Sequence, residues 1–328
     1  MTGCDTLITI GSNFPYTQFM PEFGQARAIQ IDIDPRFIGM RYPYELNLVG
    51  SAGPTLKHLL PMIEHKSDRS WRTSGEKNVA RWWDVIHRSA LVDADPINPQ
   101  RVFAEASEVL PDNVIVAADS GSAANWYARN IKLRPGMRGS LSGTLATMGN
   151  GVPYMVGAKF SNPGRPAVAF VGDGAMQMNG INELITIAKY WEEWSDPRLV
   201  IAVLHNNDLN QVTWEMRAME GAPQFLPSQH LPSFPYAHYA RSIGLEGILV
   251  EKPDEIANAW RKALAANRPC LLEFVTDPAV PPIPPHATLD QIENMIGAVV
   301  RGDSDRWDVI KEGVKLKAQE FLPGGHDK

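Results

Sequence analysis

Two apolar runs end in residues whose types and spacing could do chemistry together. Pro166-Ala-Val-Ala-Phe-Val leads into Gly172-Asp173-Gly174-Ala175, and Leu199-Val-Ile-Ala-Val-Leu leads into His205-Asn206-Asn207-Asp208. Glycines at a strand end let a ligand approach the backbone. The free N–H groups of a following helix attract phosphate. Asp173 offers a hard carboxylate oxygen suited to Mg²⁺. Taken alone, Gly-Asp-Gly is also the composition of an ordinary turn. The second run adds weight, because two asparagines closing a buried strand are costly unless their amides are satisfied. The amide oxygen of Asn207 is a second hard donor, and the carbonyl of Leu209, two residues on, a third. Mg²⁺ takes six oxygens in near-octahedral array and shares them with phosphates. The pattern therefore suits a diphosphate–metal site. The alternative is a polar loop whose asparagines cap the next helix.

Such a site needs strands that bring the two ends side by side. Short apolar runs predict buried parallel strands at Thr6–Ile10, Ala28–Ile33, Val114–Ala118, Ala167–Val171, Leu199–Leu204, Ile248–Val250 and Leu271–Val275. Ile181, Leu184, Ile185, Ala188 and Trp191 recur at helical spacing, as do Ile256, Trp260, Ala263 and Leu264. Strands alternating with helices predict an α/β fold, a parallel sheet flanked by helices, beside a partial Rossmann-like unit. In such sheets ligands sit at the carboxyl ends of the strands. Residues 1–66 supply two predicted strands and one helix near Ala52–Ile63, less than a doubly wound domain of about 100 residues. Residues 67–98 read as a polar linker followed by a helix from Val79, residues 99–278 as the main domain, and residues 279–328 as a carboxyl-terminal extension. That extension opens with a proline-rich exit, Pro278 to His286, and its Trp307, Ile310, Val314 and Leu316 make a modest apolar face expected to pack on the protein.

Composition excludes several classes. The 328 residues carry a net charge of −6, which argues against a basic nucleic-acid-binding face. Only Cys4 and Cys270 occur, without zinc-type spacing, and are expected to be free thiols. The start lacks the pattern of a signal peptide, and no apolar stretch approaches the ~18 residues of a membrane span, so a cytoplasmic protein is expected. There is no Walker loop, no His-Glu-x-x-His and no Gly-x-Ser-x-Gly elbow. His205 is expected to face substrate or to pack and cap. Trp82 and Trp83 read as core.

Gly172-Asp173-Gly174, a helix, a strand and then Asn206-Asn207 resemble the signature of thiamine-diphosphate-dependent enzymes. The surroundings are most similar to the pyruvate oxidase and acetolactate synthase family. Asp5–Tyr16 and Ile29–Pro35 resemble the second half of that family's central domain. Gly121 to Gly157, with Thr147-Met148-Gly149, resembles the start of its diphosphate-binding domain. Pro281–Gln291 and Ile296–Asp303 resemble the carboxyl end of the pyruvate oxidases. The resemblance implies that Asp173, Asn207 and the Leu209 carbonyl ligate Mg²⁺. Gly172, Gly174 and Ala175 would border the diphosphate, with the amides of Gly174 and Ala175 contacting it. The main chain of Met148, beside Thr147, would hold the aminopyrimidine, Val212 would prop the bent cofactor, and Gly121 and Ser122 would lie near cofactor or substrate. The alternative for Met148 and Val212 is a plain core position. Asp173 and Asn207 stand 34 positions apart, longer than the family's usual interval, with the excess placed around Tyr190–Pro197. A surface loop absorbs such length cheaply.

The resemblance also implies what else the reaction needs. The family's activating glutamate lies on a separate amino-terminal pyrimidine-binding domain, which has no counterpart in these 328 residues. The catalytic residue is thus not assigned in this chain, and a homo-oligomer or a partner chain would supply it. FAD is implied for a full-length relative and not for this chain, although Asp32 and Asp34 end a strand where a carboxylate can meet a ribose hydroxyl. The expected reaction is conversion of a 2-keto acid such as pyruvate by decarboxylation, oxidative or not. The alternatives are carboligation, as in acetolactate synthase, and a non-catalytic cofactor-binding remnant.

Overall fold

The structure is a computed structural model that describes residues 1–143, 146–282, 289–303 and 305–321. The chain divides into two compact units, Met1–Gly75 and Glu76–Lys328.

The first unit holds three parallel strands in the order β1 (Thr6–Ile10), β2 (Arg27–Asp32) and β3 (Leu46–Val49). The third strand was not expected. Leu46 and Leu48 do alternate with polar neighbours, but all four residues are exposed, so no buried face strengthens the pattern. A small core of Leu7, Met20, Ala26, Ala28, Tyr42 and Tyr44 lies against β1 and β2. The Tyr44 hydroxyl is tied to Thr9 Oγ1 at 2.8 Å. The helix Ala52–Leu59 buries none of its residues.

The helix Ser70–Ala90 starts earlier than its periodicity predicts, so much of the polar segment read as a linker is helical. Only Val85, Ile86, Ser89 and Ala90 are buried, which is why no apolar stripe marks its first turns. Asp68 supplies the start signal, its carboxylate accepting the Ser70 N–H at 2.9 Å.

The second unit is built on six parallel strands: β4 (Ile115–Ala118), β5 (Arg138–Ser140), β6 (Ala167–Gly172), β7 (Leu199–His205), β8 (Glu246–Val250) and β9 (Cys270–Val275). Their order is β5-β4-β6-β7-β9-β8. The central strands β4 and β6 are apolar throughout, and β7 and β9 nearly so, because both faces are covered. Val168 and Phe170 of β6 enter one core with the helices Pro99–Val109, Ser122–Asn130 and Ile256–Ala265. Ala167, Ala169 and Val171 enter the other, with the helices Gly151–Ser161, Ile181–Tyr190 and Tyr236–Ser242. In the first core Phe103, Phe170, Trp260 and Phe274 form a chain of ring contacts with centroids 4.6, 5.7 and 5.8 Å apart. Truncating a ring buried like that of Phe170 costs about 3–5 kcal/mol.

Neighbouring strands β4 and β6 send their following helices to opposite faces. That arrangement opens a crevice at the carboxyl ends of the strands, where ligands bind in open α/β sheets.

The helix Leu289–Val300 packs on the segment Met216–Glu220, and the buried Arg217 pairs with Asp303 at 2.8 Å. The proline-rich exit and the Pro281–Gln291 resemblance lie partly outside the described residues. Of the tail residues expected to pack, Leu316 meets the core, whereas Trp307, Ile310 and Val314 are exposed; among the described residues of that helix Val309 and Glu312 are buried. No helix among the described residues is long and apolar enough to cross a membrane. Cys4 and Cys270 are free thiols.

Candidate cofactor-binding site

The tip of β6 carries Asp173, with only 2% of its surface exposed. Its Oδ1 accepts the Gly174 N–H at 2.9 Å. Its Oδ2 accepts the N–H groups of Asn206 at 2.9 Å and Asn207 at 2.6 Å. One carboxylate therefore stitches the tips of β6 and β7 together. Burial pushes the Asp173 carboxyl up to about 6, although these N–H groups and the nearby His205 favour its charge.

Beyond β7, Asn207 adopts the left-handed conformation, φ 56°, which asparagine tolerates better than most residues. Its carbonyl accepts the Leu231 N–H at 2.8 Å, and Leu209 donates to the Gln229 carbonyl at 2.9 Å. Asn206 Oδ1 accepts the Asp208 N–H at 3.1 Å. Leu209 precedes the helix Asn210–Glu215, and its carbonyl accepts the Thr213 N–H at 3.1 Å, which leaves one lone pair on that oxygen.

At the tip of β4, Asp119 is 1% exposed and equally encircled. Its carboxylate accepts the N–H groups of Ser120 at 2.8 Å, Gly149 at 2.8 Å and Gly151 at 2.6 Å. Burial raises its pKa against the pull of those donors. Ser120 Oγ donates to the carbonyls of Ala146 and Thr147. The segment carrying Thr147 and Met148 is thus fastened to β4.

The sequence-predicted residues gather at this end of the sheet. Gly121, φ 99°, opens the helix that begins with Ser122. A Cβ on Gly121 would lie 3.9 Å from the Cβ of Gln211, on the helix after β7. A Cβ on Gly174 would lie 2.7 Å from Leu209 Cδ2 and 2.9 Å from Met148 Cε, so these three residues converge. A Cβ on Gly172 would meet nothing within 4 Å, so space is open there. Ala175 is buried behind the tip. Val212 is 44% exposed and Met148 is half-buried, so neither is a fully packed core residue. Both helices leaving the tips contain π turns, Met176–Gly180 and Met216–Glu220, a feature often found at functional sites.

Sequence reasoning missed Asp119 and Glu273. Asp119 had a signal, since β4 ends in Asp-Ser-Gly much as β6 ends in Gly-Asp-Gly. Glu273 stands alone as a charge inside an apolar strand. Its Oε1 lies 2.7 Å from His205 Nδ1. His205 was expected to face substrate or to pack and cap; it is buried in this pair. Desolvation opposes its charge, but the hydrogen bonds to Glu273 and Asn207 and the charge of Asp173 prevail and raise its pKa.

No cluster of three or more His, Cys, Asp or Glu that could hold a metal occurs among the described residues. A cation at the tips would draw on one carboxylate, an amide oxygen and a carbonyl, which is a donor set suited to Mg²⁺ shared with phosphates. The buried Asp173 carboxylate bonds main-chain N–H groups and so leaves its charge for such a cation to balance. The residues fit a diphosphate–metal group.

Comparison with known proteins gives two family matches along the chain. Residues 119–274 match the family described as "Thiamine pyrophosphate enzyme, C-terminal TPP binding domain". Residues 1–59 match "Thiamine pyrophosphate enzyme, central domain". The chain belongs to the thiamine pyrophosphate enzyme family.

Individual relatives narrow the neighbourhood. The YdaP protein of Bacillus subtilis (strain 168) is 32% identical over 291 residues, 89% of this chain and 49% of its own length. The "Probable acetolactate synthase large subunit" of Methanocaldococcus jannaschii is 32% identical over 333 residues, 95% of this chain and 53% of its own. The pyruvate oxidase of Lactiplantibacillus plantarum is 23% identical over 274 residues, 83% and 44%. The chain spans about half the length of the curated relatives it matches.

Proposed function

We propose that the tips of β6 and β7 hold the diphosphate of thiamine pyrophosphate through one Mg²⁺, and that the assembled enzyme converts a 2-keto acid such as pyruvate. The observation that carries this reading is the Asp173 carboxylate, buried and bonded to the amides of Asn206 and Asn207. Asp173, the Asn207 side-chain oxygen and the Leu209 carbonyl are the proposed metal donors. Gly172, Gly174 and Ala175 line the diphosphate, with Gly174 kept small by Leu209 and Met148. Thr147 and Met148 meet the pyrimidine end, Val212 supports the bend, and Gly121 and Ser122 border the substrate. When bound, the thiazolium supplies the carbon chemistry, while the protein binds, orients and polarises.

The proposed organisation is a partial central domain at 1–66, a connecting segment at 67–98, the cofactor domain at 99–278 and an extension at 279–328. A pyrimidine-binding domain, from a second copy or another chain, completes the site and supplies the activating glutamate. FAD is not assigned to this chain. Asp34 is engaged by Arg36 at 2.6 Å, and Asp32 accepts the Asp34 N–H. A cytosolic setting suits the two free thiols.

The likeness to an acetolactate synthase subunit supports a second reading, carboligation. Calorimetric titration of thiamine pyrophosphate, with and without Mg²⁺, tests the site. Binding by the wild type only with Mg²⁺, lost in Asp173→Ala, supports it; equal binding in every case removes it. With a complete assembly, reduction of an added electron acceptor indicates an oxidase and an acetohydroxy acid indicates a carboligase. Cofactor binding with neither product indicates a non-catalytic remnant.

A further inference from the structure

Asp303 follows the helix Leu289–Val300 in the carboxyl-terminal extension and is 3% exposed. Both of its oxygens hold Arg217, which is buried too: Nε donates to Oδ2 at 2.9 Å and Nη2 to Oδ1 at 2.8 Å. Such a fork fixes orientation as well as distance. The guanidinium also lies over the Trp214 ring, 5.0 Å from its centroid. Arg217 and Trp214 belong to the helical segment Asn210–Glu220, which follows the tip of β7 and carries Val212. The extension also closes the end of that segment. Asn294 Nδ2 donates to the carbonyls of Ala218 and Met219, and Arg301 Nη1 donates to that of Gly221.

A second route runs from Asp303 to the loop after β7 itself. Asp303 Oδ2 accepts the main-chain N–H of Gln224 at 3.0 Å, and Gln224 Nε2 donates to Asp208 Oδ1 at 3.0 Å. Asp208 stands between Asn207 and Leu209, and the same oxygen accepts the Thr213 hydroxyl at 2.8 Å. The left-handed backbone of Asn207 persists only where its surroundings hold it. A buried ion pair is a weak source of stability, because desolvation offsets the attraction. What the Arg217–Asp303 pair supplies is a fixed geometry between the extension and this loop.

We infer that Asp303 is a positioning residue for the Asn207–Leu209 loop, acting through Gln224 and Arg217 to fix the backbone that carries two of the proposed metal donors. The inference rests on the reading of that loop as part of the cofactor site.

The test compares the full chain with Gln224→Met, with the double variant Arg217→Met/Asp303→Leu, and with the triple variant. Gln224→Met removes the side-chain bond to Asp208 and keeps the main-chain bond to Asp303. The double variant removes both charges together, so no guanidinium is left buried without its partner, and such apolar replacement is often neutral in stability. Hydrogen exchange reads the amides of residues 206–212 in the ligand-free chain, and calorimetry reads thiamine pyrophosphate affinity at saturating Mg²⁺. The expected result is faster exchange in that segment and affinity weaker by about 10-fold in Gln224→Met, with a loss at least as large in the double variant and similar melting temperatures. The triple variant should lose nothing beyond the double, because residues on one route do not act independently. Wild-type exchange in both variants overturns the inference, as does a weaker affinity without faster exchange, or losses that multiply in the triple. If the double variant does not fold, Gln224→Met alone decides. A wild type that binds no thiamine pyrophosphate overturns the cofactor site instead, and the exchange measurement, which needs no ligand, still decides whether Asp303 holds the loop.

Discussion

The carboxylate of Asp173 accepts the main-chain N–H of Asn207 at 2.6 Å, so the end of β6 fixes the backbone of the residue whose amide stands at the end of β7. One buried anion couples the two strand ends directly.

That coupling separates two effects of substitution. Asp173→Ala strands the N–H groups of Asn206 and Asn207, each costing about 1–3 kcal/mol when left buried without an acceptor. Asp173→Asn retains one acceptor oxygen. Both variants are expected to lose Mg²⁺-dependent cofactor binding, with Asp173→Ala also melting lower than Asp173→Asn. Thermal unfolding beside calorimetry checks this; identical melting of the two variants would contradict it.

Asp119 acts on the opposite wall. Its carboxylate is the acceptor for Gly149 and Gly151, which flank the end of the Thr147–Met148 segment. Asp119→Ala is expected to cost about 1–3 kcal/mol per stranded donor. It should also raise the exchange rates of the Gly149 and Gly151 amides. Cofactor affinity should fall with Mg²⁺ affinity little changed, since the β6 and β7 tips are untouched. Hydrogen exchange followed by mass spectrometry reads the first effect, and unaltered protection would sink the idea.

Gly174→Ala places a methyl group 2.7 Å from Leu209 Cδ2 and 2.9 Å from Met148 Cε. Both neighbours are flexible side-chain ends, so the fold should survive with a destabilisation of about 1–3 kcal/mol. Because the added methyl group crowds the Gly174 position proposed to line the diphosphate, the affinity for thiamine pyrophosphate should drop, and unchanged affinity would contradict that placement. A titration series on this variant decides the matter.

Lys159 gives a pH signature away from the site. Its ammonium is fully buried and donates to the carbonyls of Pro163, Arg165 and Asp196, holding the turn before β7 to the helix Gly151–Ser161. Burial pushes the group down to about 8 from an ordinary 10.5, with Asp196 opposing the shift and Arg198 adding to it. The unfolded chain therefore binds the extra proton between about pH 8 and 10.5, so this group's contribution to stability rises with pH across that window. The gain is lost as pH falls through about 8. Urea unfolding of wild type and Lys159→Met at pH 8, 9 and 10 should show a wild-type advantage that grows with pH, whereas parallel curves would contradict it.

Much of the six-stranded sheet was readable because its buried parallel strands are nearly unbroken apolar runs. Edge strand β5 was not readable, since Arg138-Gly139-Ser140 contains no residue that favours a strand. The start of the helix Ser70–Ala90 hid for the opposite reason: an exposed helix needs no apolar stripe, and only its Asp68 cap announces it. At the site, Asp173 and Asn207 were legible because polar residues closing an apolar run demand partners. The same rule applied to Glu273, a charge within Cys270-Leu-Leu-Glu-Phe-Val, but its partner His205 lies 68 residues away, and spacing alone could not join them. Asp119 carried a strand-end signal in Asp-Ser-Gly, but two of the amides it collects, those of Gly149 and Gly151, lie some 30 residues on and only the fold joins them.

The most direct test is a crystal structure of the full chain grown with thiamine pyrophosphate and Mg²⁺. A single cation should lie about 2.1 Å from an Asp173 oxygen, Asn207 Oδ1 and the Leu209 carbonyl, with the diphosphate beside Gly174. A diphosphate bound elsewhere, or a cation that does not touch both Asp173 and Asn207, would contradict the account.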